Sequence, residues 1–163
     1  MQNRVSSYPT LVRINHIVLS VFLAVFFIYA GVKKFIPKPP LNKPVSNEAF
    51  VKAFEENKFE SPVTFKMAIK ALKTSGFLKM VGVLQILAGL LIILPPSRLI
   101  GLLMLLPLTV NVFCFHFFMD NRPDENIETG FLFLLNVMLL VFYSDRLKNL
   151  FIKDWSFKIA KAV

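Results

Sequence analysis

Four apolar stretches constrain what this chain can become: Ile14–Ile36, Leu78–Leu94, Leu99–Met119 and Phe131–Tyr143. A helix needs roughly 17–25 apolar residues to cross the hydrocarbon core of a bilayer. The first three stretches have that length, and the fourth reaches it once Ile127–Gly130 extend its start. The expected crossings are therefore about 14–36, 78–94, 99–119 and 127–143. Charged residues collect between them. With 55% hydrophobic residues and eighteen phenylalanines among 163, a largely polar surface is not available. The fold class that follows is all-α: a single membrane domain over 1–163, built as an antiparallel four-helix transmembrane bundle. The run after Arg4 and Arg13 is too long for a signal-peptide core, and Lys33-Lys34-Phe35 follows it in place of a small-residue cleavage site. It reads as a retained helix.

The connections carry their own signals. Pro37-Lys38-Pro39-Pro40 and Pro44 favour an extended segment. Beyond it, Asn47–Asn57 places Ala49, Phe50, Ala53 and Phe54 on one helical face. Ser61-Pro62 reads as an N-cap followed by proline at the first helical position. Phe65, Ile69 and Leu72 share the next apolar face, beside a basic edge of Lys66, Lys70 and Lys73. These short helices are marginal alone and suit the membrane interface, forming an extramembrane lid over 37–75. Ser75-Gly76 marks a bend. Pro95-Pro96-Ser97-Arg98 is a tight turn that makes its flanking helices antiparallel, and Pro107 removes a backbone donor from the third crossing. Leu147, Phe151, Trp155 and Ile159 recur every four residues, which predicts a C-terminal interfacial helix over 147–162.

One cysteine excludes an internal disulfide and a CxxC pair. The net charge of +9 sits beside membrane segments, so its expected counterpart is anionic lipid or an acidic partner and no nucleic acid. Four crossings put both termini on one side. Ten Lys and Arg in Lys33–Lys79 against eight on the terminus side lean toward external termini.

Polar residues inside the apolar stretches seek partners within a bundle. His16, Ser20, Ala24 and Gly31 form one stripe, and Gly82, Gln85 and Gly89 another. Gly31, Gly82 and Gly89 are expected at helix contacts. Asn136 is expected to meet Gln85 or Asn111 across the core, making Gln85, Asn111 and Asn136 a candidate cavity or polar network. His116 and Asp120 lie one helical turn apart and pair as neighbours. No set of ligands matches a metal-site spacing, and Cys114 lacks a general base, so neither a metal nor a catalytic residue is assigned. From Lys33 to Lys79 there are ten bases against four acids; from Asp120 to Glu128 there is one base against four acids. These opposed charges predict that the lid docks at a mouth formed by Lys34, His116, Asp120, Asp124, Glu125 and Glu128.

Four segments then carry a resemblance: "FFIYAGVKKF", "VGVLQILAGLLIIL" with Arg98 close behind, "HFFMD" and "FLLNVMLL". In that order, between Arg13 and Tyr143, the chain resembles the DoxX-like family of small four-helix integral membrane proteins, related to the MauE type. Gly31, Lys34, Gly82, Gly89, His116 and Asn136 match the family pattern; Gln85 stands where the family usually has glutamate, which removes a charge. The resemblance implies an accessory or scaffolding subunit of a protein complex, without catalysis of its own, binding a protein partner or a second copy. The alternative it implies is a quinone- or lipid-binding membrane subunit of an oxidoreductase; no other cofactor is expected. It also implies a bacterial inner (cytoplasmic) membrane location with the first long connection outside and both termini cytoplasmic, against the lysine count.

Overall fold

The computed structural model describes residues 9–36, 47–56 and 63–148. Among them every regular element is helical. The elements are α1 (Thr10–Lys33), α2 (Asn47–Glu55), α3 (Val63–Thr74), α4 (Phe77–Ile93), α5 (Arg98–Phe115), a π-helical turn (His116–Asp120) and α6 (Pro123–Val141). The four long helices fall on the four apolar stretches. The proline-rich connection, Ser61-Pro62, the α2 face at positions 49, 50, 53 and 54, and the C-terminal helix beyond Lys148 lie outside the described residues and side chains. Residues 144–148 are helical.

Local chemistry sets the breaks. Gly76 adopts φ +79°, a left-handed conformation that favours glycine, and α3 meets α4 there with a bend of 79°. At the other end of α4, Ser97 Oγ donates to Leu91 O at 2.9 Å and Arg98 Nε donates to Ile92 O at 3.0 Å. Two carbonyls that the helix end leaves without backbone donors are thereby satisfied. Pro123 opens α6 at its first turn, followed by Asp124 and Glu125. That placement wastes no amide and sets negative charge at the positive end of the helix.

Among the described residues two helices are long and apolar enough to cross a membrane: α1, with 24 residues, and α5 with its π turn, with 23. The bent pair α3–α4 adds a third if it counts as one broken span. Helix α4 alone is 17 residues, and α6 begins with Asp124, Glu125 and Glu128.

Each long helix touches two others, in the order α1, α4, α5, α6 and back to α1. Residue pairs show antiparallel neighbours. Gly31 faces Gly82 while Ala24 faces Gly89, and Gly101 of α5 faces Ala88. These contacts are backbone-close. A Cβ at Gly31 would stand 2.7 Å from Gly82 O, and one at Gly89 would stand 2.8 Å from Ala24 O. Small residues let helices approach this closely where lipid offers no competing hydrophobic gain. All three expected glycines serve this seam, and Gly101, unremarked in the sequence, extends it. Leu23, Ala24, Phe27, Ala88, Ile92, Leu102, Leu105, Leu135 and Leu139 fill the interior.

The outside is as apolar as the inside. Val18, Val25, Ile100, Phe118, Leu134 and Val141 are exposed, whereas His16, Ser20, Gln85, Thr109 and Asn136 are buried. Soluble monomers rarely expose so much contiguous apolar surface.

Candidate functional site

The interior polar groups do not converge on one cavity. Gln85, 2% exposed, accepts a 2.7 Å hydrogen bond from Lys34 Nζ. The same ammonium reaches Ala30 O at 3.3 Å. This places α1's last turn against the middle of α4 and gives Gln85 a cationic donor. Asn136 is fully buried, and its Nδ2 donates to Thr109 Oγ1 at 3.4 Å. Thr109 Oγ1 in turn donates to Leu106 O at 2.9 Å.

Two expectations are corrected here. Asn136 meets Thr109, not Gln85 or Asn111. Asn111 is exposed, and its Nδ2 donates to Pro107 O at 2.7 Å. A helical carbonyl has a second lone pair, so an outward amide can be satisfied by its own helix without entering the core. Gln85 and Asn136 are interior residues as expected, but in separate pairs. Helical spacing puts Thr109 on a stripe with Phe113, His116 and Asp120, but that spacing does not announce Asn136 as its partner.

The end formed by the π turn gathers the charges. His116 Nδ1 lies 3.3 Å from Asp120 Oδ2 and 3.9 Å from Glu125 Oε2. Asp120 is nearly buried, at 5% exposure. Arg122, half-exposed, bridges the two acids: its Nη2 is 2.6 Å from Asp120 Oδ2 and 3.1 Å from Glu125 Oε1, while Nε donates to Asp120 Oδ2 at 2.8 Å. The hydrogen bond to Asp120 raises the Arg122 pKa above its already high ordinary value. The backbone is shaped for this. Asn121 sits at φ +49° and donates its N–H to His116 O at 2.8 Å, closing a π turn that folds Arg122 back onto Asp120. Single π turns recur where a helix must aim a functional side chain. Sequence spacing predicts the His116–Asp120 neighbourhood; it does not reveal Arg122, whose contact crosses a loop break.

The lid reaches this same end. Phe65 of α3 packs 5.3 Å from the Phe115 ring and 5.4 Å from the His116 ring, so the described lid contact is aromatic. Asp124 and Glu128 are exposed, and Ile127 beside them is 73% exposed. His116, Asp120, Glu125, Asp124 and Glu128 thus share the mouth, with the two last facing outward. Lys34 is on the same side of the bundle through α1's last turn. Among the described residues no three His, Cys, Asp or Glu side chains are grouped to hold a metal. With this geometry established, comparison with known proteins adds no relative: no family model, curated protein or solved structure matches the chain.

Proposed function

We propose that this chain is an integral membrane accessory or scaffolding subunit of the DoxX-like kind. In this reading α1, α4, α5 and α6 are four antiparallel crossings, and the mouth binds a partner protein or a second copy. The carrying observation is the inverted surface: apolar side chains cover the outside of all four helices, and the interior polar groups Gln85 and Asn136 are engaged with Lys34 and Thr109. Lipid can solvate such an exterior, and the side-chain bonds of Gln85 and Asn136 tie neighbouring helices together within it. With α4 upright, the 79° bend lays α3 along the membrane surface, where exposed Lys70 and Lys73 suit lipid phosphates. The mouth then offers exposed acids, a half-exposed arginine and apolar Ile127, a mixed surface suited to protein contact.

The membrane is the bacterial inner membrane, with both termini cytoplasmic and the lid outside. The quinone or lipid cavity is the weaker reading, because Gln85, Asn111 and Asn136 point to three different partners instead of one ligand. Purification in mild detergent at native expression tests the proposal. A stoichiometric partner, or a stable homo-oligomer, is expected. Free monomer across several detergents and crosslinkers would reject a scaffolding role.

A further inference from the structure

The opposite end of the molecule, beside the Pro95-Pro96 turn, holds a different arrangement. Arg98 is 7% exposed, and its Nε is spent on Ile92 O. Among the described residues no ion pair joins Arg98 to a carboxylate. A guanidinium withdrawn from water is costly without a counter-charge. The Tyr143 hydroxyl lies beside it, and the exposed Arg146 guanidinium stands 5.9 Å from the Tyr143 ring centre. His16, 2% exposed, packs edge-on against Phe142 and Tyr143 at 5.1 and 5.5 Å. Neither of its ring nitrogens makes a hydrogen bond; the Leu139 carbonyl is nearby but outside hydrogen-bonding geometry.

Two guanidiniums and a phenol hydroxyl make a donor-rich set without an acid among them. Planar guanidiniums match phosphate oxygens in charge and shape. The surroundings point to a lipid as the source. Leu94 at the end of α4 and Ile100 on the outward face of α5, exposed at 54% and 60%, keep the outer surface of this end apolar, where acyl chains can lie. Exposed Arg13 and Lys148 lie at the same end, adding attraction for an anionic surface. We infer that Arg98, Arg146 and Tyr143 form a receptor for a phosphate group, supplied by an anionic phospholipid headgroup at this face of the bundle. Arg98 provides the buried charge, Arg146 closes the site from the rim, and His16 backs the Tyr143 ring.

The inference takes the membrane from the proposed function but not the partner, so failure to capture a partner leaves it standing. Native mass spectrometry of the full chain, offered equal phosphatidylglycerol and phosphatidylcholine, is the test. The wild type is expected to retain phosphatidylglycerol about tenfold or more over phosphatidylcholine, the scale of one or two charge-assisted hydrogen bonds. Arg146→Gln, on the exposed rim, should reduce that preference severalfold without unfolding the chain, and Arg98→Gln should remove most of it. A second arm adds inorganic phosphate to lipid-depleted protein in neutral detergent. Thermal protection by phosphate that Arg146→Gln loses would support the same phosphate site with a free anion as its source. Equal retention of the two lipids together with no phosphate protection overturns the inference. So does a preference that both arginine variants leave unchanged.

Discussion

The two ends of this bundle handle charge in opposite ways. At the π-turn end, Asp120 is buried and Arg122 folds back from the loop to neutralise it, with Glu125 and His116 completing the network. At the Pro95-Pro96 end, Arg98 is buried to a similar degree, yet no described acid meets it. Both arginines satisfy backbone or side-chain acceptors through Nε. Among the described residues only Arg122 has its charge matched by acids. A closed network holds the fold without help from its surroundings; an open cation leaves its charge to be matched from outside.

The largest effect is expected where the seam joining both ends is broken. Gly31→Leu would drive a side chain into Gly82 O and Ile86 Cγ1, which a bare Cβ already approaches to 2.7 and 2.8 Å. Overpacking against backbone should cost about 3 kcal/mol or more, read as a fall in the denaturant midpoint in detergent. Gly130→Ala, which meets only the Phe113 ring at 3.2 Å, is the mild control. Comparable losses in both variants would mean that the close approach of α1 and α4 is not what holds the bundle.

Next comes the comparison of the two arginines in lipid-depleted detergent. Arg122→Ala strands a nearly buried carboxylate, so a loss of about 1–3 kcal/mol is expected, toward the low end because the guanidinium is half-exposed. Arg98→Gln strands no opposite charge and keeps a donor near Ile92 O, so about 0.5–1.5 kcal/mol is expected. Thermal unfolding of the two variants side by side decides the order. A costlier loss at Arg98 would reveal an acidic partner and collapse the distinction between the ends.

The smallest effects concern the lid. Phe65→Ala should release α3 from Phe115 and His116 and speed proteolysis between Val63 and Ser75. Neutralising Asp120, Asp124, Glu125 and Glu128 together should speed it less, with salt producing part of the same change in the wild type, since exposed pairs are worth about 0–1 kcal/mol. If cleavage ignores Phe65→Ala but follows salt, the lid is held by charge and the aromatic contact is incidental.

Much of the scaffold is legible in the sequence because lipid and backbone hydrogen bonding leave few options. The apolar stretches become α1, α4, α5 and α6, and the stripes His16-Ser20-Ala24-Gly31 and Gly82-Gln85-Gly89 are buried as helical spacing predicts. What escapes is decided by local geometry. A 3.6-residue period places Asp120 near His116 but does not announce a π turn, and without that turn Arg122 has no reason to meet Asp120. The inward orientation expected for Asn111 fails because its own helix supplies an acceptor at Pro107. In the sequence Arg98 is the end of a tight turn and follows a family-like segment; that no described acid pairs with it is a tertiary fact.

The central claim is that α4 and α6 cross the membrane alongside α1 and α5, although neither alone matches them in apolar length. Single cysteines at Ser75, Pro96, Asp124 and Lys148, in a Cys114→Ser background, test it by labelling intact cells with an impermeant thiol reagent. Four crossings with cytoplasmic termini predict label at 75 and 124 and none at 96 and 148 until the cells are opened. Label at 96 and 148 alone would keep the four crossings and invert the bundle. Positions 75 and 96, or 124 and 148, reacting from the same side would contradict the account, because α4 or α6 would then fail to cross.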